Sequence, residues 1–360
     1  MSVLRNAKDV RVGGAETKAA YFGDQLVWWK DPGRIVVGYH ADDFLESLSS
    51  EDLSVEWTLT NVDTVNDSAI AANQHGDIFL HEGNNVVKRS MDGSQQWSRS
   101  LHSAAQLHPV ALADGGCVAL SGSPESFDAF RFERFDSGGT SQGHFDVTVG
   151  FFSPNHSNYI FVVDSAEEHL FLLTNNEVFK LDLSNGNQAA HANLPNTFYN
   201  IALDEDRGRV YVTENNNDYI KVLDAGNLSL IENSPSLSVP ENIPGADMRV
   251  HPDGDLVMFG QGGRVYKVDP DSWSVAWTVQ PGSGDEVAWA LDVLPPTGNI
   301  AALLFGATSG VDSGVYILDP SNGATLHSRI YPQSEVGRVN MMCATPGRRC
   351  GPFRNYHPLL

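Results

Sequence analysis

Between Tyr199 and Ile231 apolar and polar residues alternate in short runs, each broken by a polar turn. Tyr199-Asn200-Ile201-Ala202-Leu203 turns at Asp204–Gly208, and Arg209-Val210-Tyr211-Val212-Thr213 turns at Glu214–Asp218. Tyr219–Asp224 turns at Ala225-Gly226-Asn227, and Leu228-Ser229-Leu230-Ile231 follows as a last strand. Val210 and Val212, then Ile220 and Val222, keep the period of two that places alternate side chains on one face of a strand. Four short strands joined by tight turns predict one antiparallel sheet.

The aspartate turn that closes this unit recurs. It stands at Asp52, Asp92, Asp136, Asp182, Asp224, Asp269 and Asp319, at spacings of about 40 to 50 residues, the period of propeller blades. A solenoid of that period would show helical stripes, and the chain has almost none. Seven turns predict an all-β, seven-bladed β-propeller. The segment Arg34–Thr60 is too short for four strands. Val339–Cys343 and Cys350–Phe353, on either side of Pro346-Gly347, read as a hairpin that supplies the rest. The first blade is then shared between the two chain ends, which removes exposed sheet edges and ties the ring shut. The expected organisation is a small β-module over residues 1–30, the propeller over 31–354 and a tail over 355–360. In the module, Val10–Gly14, Lys18–Phe22 and Leu26–Trp29 read as strands, with Gly23-Asp24 as a hairpin turn.

Two resemblances extend this reading. Val210-Tyr211-Val212-Thr213-Glu214-Asn215 followed by Val222-Leu223-Asp224 resembles the YVTN-type propeller repeat. Asp92–Trp97 and Asp319–Gly323 resemble the turns of quinoprotein-like propellers, in which a tryptophan docks between blades; Trp57, Trp97 and Trp277 stand at comparable places. The Gly-His and Trp-Asp pairs of WD repeats are lacking. The stretch Val10–Trp28 resembles the short N-terminal module of many bacteriophage virion proteins, in which a Val-Gly-Gly strand leads into a Tyr-x-Gly-Asp-x-Leu-Val-Trp hairpin. Tyr21, Gly23, Asp24, Leu26, Val27 and Trp28 match it. This resemblance implies that Val10, Val12, Tyr21, Leu26, Val27, Trp28 and Trp29 dock the chain to other virion subunits.

Charge narrows the partners. A formal net charge of −22 with only 23 Lys and Arg disfavours nucleic-acid phosphates and an anionic membrane surface, and favours solubility. No run approaches a transmembrane helix, and Met1–Lys8 lack the apolar stretch of a signal peptide. Synthesis in the host cytoplasm is expected. Three cysteines, Cys117, Cys343 and Cys350, show no metal-knuckle spacing. If Pro346-Gly347 is a two-residue turn, Cys343 and Cys350 lie opposite each other at about 5.5 Å between Cα atoms, within disulfide range. Two reduced core thiols are the alternative in a protein made in the cytosol.

Catalytic patterns are scarce. No two cysteines are adjacent, as they are beside the cofactor of quinoprotein dehydrogenases. The histidines show no helical metal spacing, and no Gly-x-Ser-x-Gly elbow occurs. Gly260-Gln261-Gly262-Gly263 reads as a hairpin turn rather than a phosphate cradle. Asp204-Glu205-Asp206 and Asp253-Gly254-Asp255 are candidate calcium turns without EF-hand spacing, in places where aspartate also serves its own turn. The expected function is a non-enzymatic bacteriophage virion protein, a tail, fibre or decoration component of a symmetric oligomeric assembly. Its propeller would meet a host surface glycan or protein, and no cofactor is expected. A soluble propeller enzyme of lactonase or quinoprotein-like type, and a host interaction scaffold, are the alternatives.

Overall fold

A computed structural model describes most residues from Gly33 to Thr345 and the backbone of four short strands between Val10 and Trp29. Residues 1–9, 30–32 and 346–360 and several connections, among them 63–69, 103–108, 151–159, 238–246 and 333–338, lie outside the described residues. Seven four-stranded antiparallel sheets follow one another, and no α-helix occurs among the described residues. Blades two to seven span residues 71–100, 110–148, 160–193, 198–233, 248–279 and 287–331. Each runs from an inner strand to an outer one in chain order.

Blade one is built from both chain ends, as expected, but with a different division. Its order is Val339–Thr345, Arg34–Tyr39, Phe44–Ser49, Val55–Thr60, so the C-terminal part supplies one strand and the N-terminal part three. Cys343 pairs with Val36, and Thr345 with Arg34. The place that the sequence assigned to Cys350–Phe353 is therefore taken by Arg34–Tyr39, whose run Ile35-Val36-Val37 is fully buried. Cys343 is a buried free thiol, and Cys350 lies outside the described residues.

The middle strands are buried on both faces. Leu256–Phe259 and Val265–Val268 are buried at every position, because each blade is sandwiched between two neighbours. Alternation survives mainly in outer strands such as Val55–Thr60 and Gln188–Asn193, where one face meets water. The outer strand of blade five begins at Leu230, later than the sequence pattern suggests, because Leu228 belongs to the turn.

All seven predicted aspartates stand at the turn between third and outer strands, on one face of the ring. Each accepts a backbone N–H two residues on: from Ser54 to Asp52, Ser94 to Asp92, Gly138 to Asp136, Ser184 to Asp182, Gly226 to Asp224, Asp271 to Asp269 and Ser321 to Asp319, at 2.8–3.1 Å. These bonds replace backbone partners that a tight turn cannot supply.

Every one of these turns also holds a left-handed residue: Leu53, Gly93, Gly139, Gly186, Leu228, Trp273 and Gly323. The choice between glycine and a bulky residue follows the neighbouring blade. At four interfaces an aromatic of the preceding outer strand lies over a turn glycine: Trp57 over Gly93, Trp97 over Gly139, Phe145 over Gly186 and Trp277 over Gly323. A Cβ on Gly139 or Gly323 would stand 2.7 Å from the tryptophan ring. In the other three interfaces the turn residue itself fills the gap. Leu53 and Leu228 are buried there, and Trp273 packs edge-on against Tyr211, 6.4 Å away. A left-handed leucine costs about 1–2 kcal/mol, and burying its side chain returns about 1.5–3 kcal/mol.

Candidate functional surfaces and the axial polar cluster

The tryptophans that the repeat singled out are inter-blade pegs. Trp57 Nε1 donates to Met91 O at 2.8 Å, Trp97 Nε1 to Ser137 O at 3.0 Å and Trp277 Nε1 to Pro320 O at 3.0 Å, each in the aspartate turn of the next blade. Lysines opposite two of them in register, Lys88 and Lys267, reach the same carbonyls of Ser137 (3.4 Å) and Pro320 (3.1 Å). Both ammonium groups are also paired with carboxylates, Lys88 with Asp77 and Lys267 with Asp253. A buried charge is held only when so neutralised.

The two acidic turns considered for calcium are occupied by the protein's own cations. Asp204 accepts from Arg207 N and Nη1, both at 3.1 Å. Asp253 meets Lys267 and, at 2.6 Å, His251 Nδ1, and these partners hold its carboxyl below the usual range against the opposing effect of burial. Among the described residues no group of three or more His, Cys, Asp or Glu side chains converges on a metal-sized gap.

A polar cluster that the repeat pattern did not reveal lies on the inner strands. Asp247 Oδ2 accepts Leu291 N of blade seven at 2.9 Å. Its other oxygen accepts Met248 N at 3.0 Å, Asn200 Nδ2 of blade five at 3.4 Å and Arg249 Nη1. Asn200, Asp247 and Asp292 are all buried. Burial pushes the Asp247 carboxyl up, opposed by Arg249 and the amide donors. One side chain thus ties three consecutive blades at the inner ring. The signal was a polar residue breaking an inner-strand apolar run, which one sequence does not separate from a turn. The thiol of Cys117 is fully buried and its pKa is pushed up by desolvation, which disfavours the thiolate.

The residues assigned to docking stand on two small sheets separate from every blade. Val10–Val12 pairs with Ala15–Thr17, a strand absent from the sequence reading, with Val10 opposite Thr17 and Val12 opposite Ala15. Ala19–Phe22 pairs with Gln25–Trp29 around the expected Gly23-Asp24 position. Tyr21 lies opposite Leu26, Trp28 opposite Ala20 and Trp29 opposite Ala19, and a register shift leaves Val27 unpaired. Seven strand positions are thereby gathered onto two short antiparallel pairs.

These features define the class: a seven-bladed β-propeller with a one-plus-three closure. No family model matches the chain, and no curated protein matches it. Solved structures share its fold. A protein of unknown function from Bacteroides caccae superposes with a TM-score of 0.52 at 12% identity, covering 87% of this chain and 98% of that one. BamB from Moraxella catarrhalis gives 0.50 at 12% identity, with 87% of each chain covered. KlHsv2 with loop 6CD replaced by a Gly-Ser linker gives 0.50 at 11% identity, covering 83% and 97%. At such identities the likeness is one of architecture.

Proposed function

We propose that this chain is a structural subunit of a bacteriophage particle that acts by binding rather than catalysis. Residues 1–30 anchor it to the particle, and the propeller presents a surface to a host glycan or protein. The observation that carries this reading is the pair of two-stranded N-terminal sheets, which join no blade. Sheets of two short strands are marginal alone in water, so strands rich in valine and tryptophan need a covering surface. The resemblance of Val10–Trp28 to virion docking modules supports a neighbouring virion subunit as that surface. The ring supports the same reading: the buried groups Lys88, Lys267, Glu46 and Asp247 hold neighbouring blades together, as befits a rigid carrier.

Deletion of residues 1–30 tests the proposal. Loss of the chain from purified particles, with the β circular dichroism and melting temperature of the propeller retained, is the expected result. Normal incorporation of the truncated chain overturns it.

A further inference from the structure

The two faces of the ring differ, and both chain ends leave on the same one. Arg34 starts its strand opposite Thr345, the end of the closing strand, and opposite Ser49, which leads into the Asp52 turn. Gly33 O accepts the N–H of Ser50 in that turn at 3.2 Å. Gly33 and Thr345, the first and last described residues of the ring, therefore both stand on the aspartate-turn face of blade one.

The charge of these ends opposes that of the ring. Residues 1–30 hold five Lys or Arg against three Asp or Glu, and residues 346–360 hold Arg348, Arg349 and Arg354 with no acid. Of the totals of 23 and 45, this leaves 15 basic against 42 acidic residues for 31–345, a net charge of −27 facing terminal segments that sum to +5.

The outer rim of the same face is apolar on one side only. The first two residues of the outer strands are Val55-Glu56, Leu230-Ile231, Val275-Ala276 and Thr325-Leu326 in blades one, five, six and seven. In blades two, three and four they are Gln95-Gln96, Ser141-Gln142 and Gln188-Ala189. Val55, Leu230, Ile231, Val275 and Leu326 are 40–52% exposed. Among the described residues, every large apolar side chain so exposed lies on these four consecutive blades. Tyr219 and Ile330, on the same blades, are exposed at the opposite end of their strands. Isolated exposed apolar residues are ordinary; the gathering of the other five at the aspartate-turn end of one arc marks a contact surface.

We infer that this apolar arc on the acidic ring takes the terminal segments of a second copy of the chain. Leu230 and Ile231 lie three blades round the ring from Gly33, and a second copy can approach all four blades of the arc at once. The basic-on-acidic match excludes bare ring-to-ring stacking, which would oppose two surfaces of like charge. A copy that gives its ends to one neighbour and its arc to another, or exchanges them reciprocally, builds a closed symmetric assembly. This inference rests on the reading of residues 1–30 as a docking module and names the partner as the chain itself.

Light scattering on the size-fractionated full chain tests it, at micromolar concentration and low salt. The full chain is expected to be oligomeric, with its dissociation constant raised at least about tenfold by about 0.5 M salt, which screens exposed charge. The same loss is expected from deletion of residues 1–30 and from the exposed double substitution Leu230→Glu/Ile231→Glu, with unchanged circular dichroism. A monomeric full chain, or an oligomer that survives the double substitution, overturns the inference. A monomeric chain that still needs residues 1–30 to enter particles leaves the virion reading standing without it. An oligomer that never joins particles does the reverse.

Discussion

Tyr331 Oη donates to Glu46 Oε2 at 2.7 Å, across the seam where blade seven meets blade one. The two residues are 285 positions apart in the chain. Arg329 adds a second contact to the same carboxylate at 3.1 Å, and Glu46 is buried. Closing so long a loop carries an entropic cost that these contacts and the seven-residue closing strand offset. Tyr331→Phe removes one bond to a buried charge and keeps the ring, and should destabilise by about 1.5–3 kcal/mol. Denaturant unfolding of the purified variant measures it; a shift within error would mean that the seam is held by the backbone ladder alone.

The division of the blade interfaces between aromatic pegs and left-handed leucines gives a reciprocal test. Gly139→Ala puts a Cβ against Trp97 at a backbone φ of 79°. Overpacking and backbone strain together should cost about 2–4 kcal/mol. Adding Trp97→Ala to Gly139→Leu rebuilds the arrangement seen at Leu228, so the double variant should be more stable than the sum of the single effects. A double-mutant cycle with no coupling would show that the two sides do not share one space.

Acid unfolding reports on the aspartate turns. The carboxyls of Asp52, Asp92, Asp182 and Asp319 are held below their ordinary range chiefly by the serine hydroxyls and N–H groups of their own turns. For Asp136 the N–H of Thr140 is the leading cause. A carboxyl with a depressed folded pKa contributes stability above its unfolded pKa of about 3.9, and loses it as pH falls through the folded value. The contribution of these turns should therefore be flat above about pH 5 and decline below about pH 4. Asp182→Asn, which keeps an acceptor but does not titrate, should shallow that decline in a pH series of thermal melts. An unchanged slope would remove this turn from the acid response.

The thiol chemistry is equally direct. Cys117 and Cys343 are buried and free. An alkylating reagent should label neither in the native protein and both after denaturation without reductant. Failure of Cys343 to react in denaturant would reveal the bridge to Cys350 that the sequence allows.

Leu230 and Ile231 illustrate how a regular pattern hides a departure from it. In the chain they are one more apolar pair at the start of a strand, and period-two reasoning places half of them inward. Their exposure follows from the outer strand's position, where no further blade covers the edge. The docking peg at Trp97 was legible because its turn, with glycine and aspartate at fixed offsets, is written in consecutive residues.

The sequence by itself determined the all-β class, the seven aspartate turns and hence the blade count, and the sharing of one blade between the chain ends. Each rests on local information: period-two alternation, turn chemistry and repeat length act within a few tens of residues. The tertiary structure decided the rest. It set the one-plus-three division of blade one, where Ile35–Val37 occupy the place assigned to 350–353. It drew Asn200, Asp247 and Leu291 together at the inner ring. It also matched the left-handed residue of each turn, glycine, leucine or tryptophan, to the surface of the neighbouring blade. Those outcomes depend on which surfaces meet when the ring closes, and no run of consecutive residues records that meeting.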